Sequence, residues 1–73
     1  MDGDSMIDSL ANKKLGTYTV KEIKSACNKL YNLGIVPGTR ITVISNDRGP
    51  IIVRVGNSKL AMGRGMARSI IVE

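Results

Sequence analysis

The sequence contains no histidine, tryptophan or phenylalanine, a single cysteine, and only two tyrosines, Tyr18 and Tyr31. Each gap removes a kind of chemistry. Without histidine there is no imidazole to act as general base, activate a nucleophile or complete the usual zinc sets. Cys27 stands alone, so neither an internal disulfide nor a Cys-x-x-Cys pair is available. With no histidine to take its proton, Cys27 reads as a small, partly buried apolar residue and not as a nucleophile. A solitary thiol also suits a reducing cytoplasm. The shortage of aromatics bears on nucleic acid, because single strands are gripped by stacking on aromatic side chains beside a basic groove. Long apolar runs are missing too. The longest, around Ile41–Ile44 and Ile51–Val53, have the length of strands and cannot span a bilayer. Neither a signal peptide nor a lipidation signal is expected.

Acidic residues are few, six against eleven lysines and arginines, for a net charge of +5. Asp2, Asp4, Asp8, Glu22, Asp47 and Glu73 are scattered, and none has ligand spacing. No metal site, cofactor or catalytic residue is therefore expected. Gly63-Arg64-Gly65 is weakly reminiscent of a phosphate-binding loop. Such a loop opens a helix after a buried parallel strand, and too little chain remains for one, so a glycine-eased bend over Gly63–Ala67, or one turn of 3₁₀ helix, is the simpler reading. The positive charge fits an acidic partner, nucleic acid or an anionic membrane surface. It is spread without a long run, which favours a solvated surface that keeps a small protein soluble.

What the sequence does have is isoleucine, valine and leucine, punctuated by glycine and proline. Seventy-three residues allow one small domain with a modest core. Residues 1–8 read as a flexible tail and 9–73 as the domain. Asp8 or Ser9 is a candidate cap for a brief helical turn through Asn12, anchored by Leu10. Thr17–Ile23 alternates, with Tyr18 and Val20 on one face; Ile23 falls out of phase, which predicts a bulge or the strand's end near Glu22. Ser25 is a helix N-cap candidate, and Ala26, Leu30 and Leu33 follow as a buried stripe on a helix over Ser25–Leu33. Strands are expected at Arg40–Ser45, Ile51–Val55, Ser58–Met62 and Arg68–Val72, the second and third joined by a primed turn at Gly56-Asn57. Five short strands, close turns and one helix suggest a mostly-β, closed or nearly closed barrel.

The helix exit, Leu33-Gly34-Ile35-Val36-Pro37-Gly38, organises the rest. Gly34 is placed to leave the helix in a left-handed conformation, and Pro37-Gly38 to form a type II turn into the next strand. With the preceding Lys29-Leu30-Tyr31-Asn32, this stretch resembles the L-x-x-L-G-(I/M)-x-P-G signature of the FeoA family. The likeness continues through Thr39–Ile44, Pro50–Val55 and Leu60–Val72. It implies a five-stranded SH3-like barrel with one short helix inserted between the first two strands. It further implies a non-enzymatic cytoplasmic accessory of ferrous iron uptake. Its partner would be the cytoplasmic part of FeoB, a membrane transporter with a G-domain, which could recruit it to the inner face of the membrane. Neither nucleic-acid binding nor direct membrane insertion is expected. The same module is also fused to iron-dependent repressors, so a free-standing metal-responsive regulatory barrel is an alternative reading; a small RNA-binding barrel is another. Leu30, Leu33, Gly34, Pro37 and Gly38 form the structural corner. Lys24, Lys29, Tyr31 and Asn32 are the candidate partner-binding residues, with Lys24, Lys29 and Asn32 facing outward and Tyr31 to one side of the apolar stripe as an aromatic anchor.

Overall fold

The computed structural model describes residues 7–24 and 28–73. Residues 1–6 of the expected tail, and Ser25, Ala26 and Cys27 of the expected helix, lie outside the described residues. In chain order the elements are β1 (Asp8–Ser9), a 3₁₀ turn (Leu10–Asn12), β2 (Gly16–Ile23), α1 (Asn28–Asn32), β3 (Arg40–Ser45), β4 (Ile51–Val55), β5 (Ser58–Met62), α2 (Arg64–Arg68) and β6 (Ile70–Val72).

β2 is the strand that makes the architecture. Its first half pairs antiparallel with β3, from Gly16↔Val43 to Thr19↔Arg40. Its second half turns to β6, with Val20↔Val72 and Ile23↔Ile70. The register shifts between Val20 and Glu22, at the place where the out-of-phase Ile23 predicted an irregularity. An extra residue in one strand bends it and sharpens its twist, so a single strand can serve two sheet halves. β3, β4 and β5 then follow as hairpin neighbours. The β4–β5 turn carries Gly56 at φ 62°, with no positive φ at Asn57, the pattern of a type II′ turn.

Alternation along these strands sends Val20, Ile41, Val43, Ile51, Val53, Ile70 and Val72 to the interior, where each is at most 2% exposed. Leu10, Leu30, Ile35, Met62 and Ala67 complete a core without an aromatic ring among its buried members. Tyr18 packs only at its margin, its hydroxyl donating to the Lys14 carbonyl at 2.7 Å.

Three expectations need correction. The expected closed or nearly closed barrel of five strands is an open sheet of six, in the order β1-β6-β2-β3-β4-β5. The added strand is β1, which pairs with β6 through Asp8↔Val72 and Ser9↔Ile71 and occupies the edge that closure would need. Two residues cannot display alternation, so Asp8-Ser9 read only as a cap; Leu10–Asn12 does form the short helical turn, with Ser9 at its N-cap position but no side-chain cap bond, and with Leu10 buried. The Gly63–Ala67 bend is a five-residue α-helix, Arg64–Arg68, which buries Ala67. Leu33 is not in the core: it is 39% exposed.

Candidate functional site

The site is built on the way the chain leaves α1. The Gly34 N–H donates to the Tyr31 carbonyl at 3.0 Å, and the Ile35 N–H to the Leu30 carbonyl at 2.9 Å. These paired bonds define a Schellman motif, which requires a left-handed residue at the reversal. Gly34 supplies it at φ 84°. The motif also brings together the residues flanking it, here Leu30 and Ile35, both completely buried. That explains the correction at Leu33. Ile35, delivered by the reversal, fills the core position that helical spacing assigned to Leu33, and Leu33 is left at the surface.

A second turn locks the corner to the sheet. Pro37-Gly38 occupy the centre of a turn closed by Thr39 N–H to the Val36 carbonyl at 3.0 Å, with Gly38 at φ 96°. This is type II geometry, with proline first and a positive-φ glycine second. Thr39 ties the two turns together: its hydroxyl donates to the Gly34 carbonyl at 3.1 Å and accepts the Val36 N–H at 3.3 Å. Gly38 N–H and the Thr39 carbonyl then bond the carbonyl and N–H of Val20, each at 2.8 Å. The corner is thereby fixed to β2 where its register shifts.

Around this frame, Lys29, Tyr31, Asn32 and Leu33 are exposed, Tyr31 by 54%. Lys24 is exposed beyond the end of β2, its N–H donating to the Ser69 carbonyl at 2.7 Å. Of the predicted partner-binding residues, Lys29, Tyr31 and Asn32 share α1, and Lys24 precedes it in the chain. Leu33 joins them as a surface residue that helical periodicity had hidden. The signal that reveals it is the Leu30-x-x-x-Gly34-Ile35 spacing, which marks Ile35 as the apolar member of a Schellman pair. Among the described residues there is no pocket and no group of three or more potential metal ligands.

Two sheet halves sharing one bent strand, with a rigid exposed corner, define a small SH3-like domain. The chain belongs to the FeoA family, whose FeoA domain matches residues 9–73. A protein of Methanocaldococcus jannaschii named Fe(2+) transport protein A is 40% identical over 57 residues, covering 74% of this chain and 70% of that one. A crystal structure of an iron uptake regulatory protein, FeoA, superposes with a TM-score of 0.83 at 36% identity, covering 93% of this chain and 96% of the other. A manganese-dependent transcriptional repressor gives a TM-score of 0.81 at 23% identity, over 90% of this chain and 40% of the repressor. At that identity the repressor shares the fold alone.

Proposed function

We propose that this chain is a non-enzymatic cytoplasmic accessory protein of ferrous iron uptake that acts by binding the cytoplasmic part of a FeoB-type GTPase transporter. Membership of the FeoA family and the relative named for Fe(2+) transport support the process. The observation that carries the binding role is the corner itself. Tyr31 and Leu33 stand exposed on a turn whose flanking residues, Leu30 and Ile35, are wholly buried. A fixed backbone presenting an aromatic and a leucine loses little entropy on docking, and tyrosine is enriched among binding hot spots. Lys24 and Lys29 would steer the approach of an acidic G-domain surface, so the association rate would fall with salt. No helix among the described residues is long and apolar enough to cross a membrane. Membrane recruitment would come through the partner.

The test uses Tyr31→Ala and the double variant Lys24→Glu/Lys29→Glu, each first shown to unfold like the parent. Binding to the transporter's cytoplasmic domain is measured across a salt series. Tyr31→Ala is expected to weaken affinity by roughly 2 kcal/mol if it is a hot spot, and the charge reversal to slow association and flatten its salt dependence. Parental affinity and salt dependence in both would make the helix mere scaffold. The fold shared with the repressor favours a second reading, a free-standing metal-responsive regulatory barrel. Binding to a repressor's DNA-binding part, with none to the transporter, would select it.

A further inference from the structure

The outer face of the β3–β4–β5 sheet holds an unbalanced cross-strand rung. Thr17 pairs with Thr42, Thr42 with Arg54, and Arg54 with Lys59. The threonines satisfy each other through their hydroxyls at 2.9 Å. Arg54 and Lys59 do not: like charges sit directly opposite, an arrangement that destabilises a strand pair. Both are exposed, and no acidic residue stands on the described part of that rung.

Lys59 lies on β5, an edge strand whose strand neighbour is β4. The β4–β5 register fixes which backbone groups are spare. Val55↔Ser58 closes the two-residue turn, so it is a hydrogen-bonded pair, and alternation makes Val53↔Leu60 and Ile51↔Met62 hydrogen-bonded as well. Lys59 and Ala61 therefore direct their N–H and C=O groups away from β4. Among the described residues, no backbone bond to another segment takes them up. An added strand would bond to Lys59 and Ala61, and its residue opposite Lys59 would extend the rung on the same outer face. A carboxylate there would sit beside Lys59, offsetting its repulsion with Arg54. The exposed, small Ala61 leaves room for a long side chain at the next outward position.

We propose that the β5 edge is a β-augmentation site for an extended acidic segment of a partner protein, with carboxylates at alternate positions. Main-chain pairing would supply affinity and the Arg54–Lys59 pair the selectivity. Such a site differs from the α1 corner in place and in mode, and stands whether or not that corner binds a transporter. Lysine on an edge also discourages copies of one chain from pairing, which agrees with a site that accepts an acidic strand and rejects a second copy of itself.

The probe is a capped peptide of alternating glutamate and valine, titrated into the full chain and followed by backbone amide resonances and hydrogen exchange. Controls replace its glutamates with lysine, or use an oligothymidylate. The expected result is shifts centred on residues 58–62, slowed exchange at the Lys59 and Ala61 amides, and weakening with salt. Lys59→Glu is expected to reduce affinity about tenfold, as introduced like-charge contacts do. Ala61→Pro removes an outward N–H at an edge position that tolerates proline, and is expected to abolish the exchange protection. Should that variant fail to fold, Lys59→Glu and the lysine peptide carry the test. Tyr31→Ala is expected to leave peptide binding unchanged. Equal binding of the lysine peptide, a footprint away from β5, preference for the oligothymidylate at this edge, or concentration-dependent pairing of β5 with a second copy would each overturn the proposal.

Discussion

Gly34 sits at φ 84° with nothing within 4 Å of where a Cβ would point. The cost of a side chain there is thus backbone strain, not collision. Gly34→Val is expected to destabilise the fold by more than ~1 kcal/mol, because a β-branched residue is least tolerant of a left-handed conformation. Gly34→Asn should cost less, since asparagine visits that region more readily. Denaturant melts of the two variants check the order; equal melting of Gly34→Val and parent would contradict the left-handed exit. Asp8 makes a different residue-scale prediction. The Asn12 side-chain amide, at 3.1 Å, and then the Ser9 N–H, at 2.6 Å, donate to its carboxylate and hold its pKa below the ordinary 3.8. A depressed folded pKa means that this contribution is present above the unfolded value and is lost as pH falls through the lower folded one. A carboxyl titration followed by NMR should therefore place Asp8 below 3.8; a midpoint at or above that value would remove the Asn12 contact from the solution structure.

At the scale of elements, α1 is too short to hold its shape unaided. The described part spans Asn28–Asn32, and its anchors are Leu30 within and Ile35 beyond it. Leu30→Ala and Ile35→Ala are each expected to cost about 2–5 kcal/mol, the range for emptying a filled core site. Leu33→Ala should cost less than ~1 kcal/mol, as surface changes do. Urea melts that reversed this ranking would return Leu33 to the core. This contrast also shows what a sequence reveals. β3, β4 and β5 were legible to the residue, because period-two alternation and a Gly-Asn turn are local signals that the sheet reinforces. The left-handed exit was legible because glycine and proline act through their own backbone limits. Leu33 misled because helical spacing describes a helix that continues, whereas the Schellman reversal substitutes Ile35. β1 was missed, and α2 was read as no more than a bend or one 3₁₀ turn, for a related reason: two or five residues carry too little periodicity, and tertiary contacts decide them. Exposure of Tyr31 and of the candidate lysines followed from the position of the stripe, but their partner does not.

At the scale of the molecule, eleven cationic residues face six acidic ones, and the acids are dispersed. Asp8 belongs to β1, Glu22 to β2, Asp47 to the β3–β4 loop, and Glu73 follows β6. A tight first-row metal site needs three or four converging donors, and carboxylates apart from one another cannot provide them. Two of these acids are already engaged. Asp8 accepts from Asn12 and Ser9, and Glu73 lies 3.6 Å from the Lys21 ammonium. A divalent cation at either would have to displace a donor or settle beside a lysine, and the net charge of +5 opposes it from a distance. A tight iron site is therefore not expected among the described residues. Titration of ferrous iron or zinc into the isolated protein is expected to show only weak surface binding by calorimetry, diminishing with salt. A stoichiometric submicromolar site would overturn this expectation. Dispersed donors would then have to be gathered from more than one copy, with Cys27 or surface carboxylates meeting across an interface, and the metal would appear as a concentration-dependent oligomer in sedimentation.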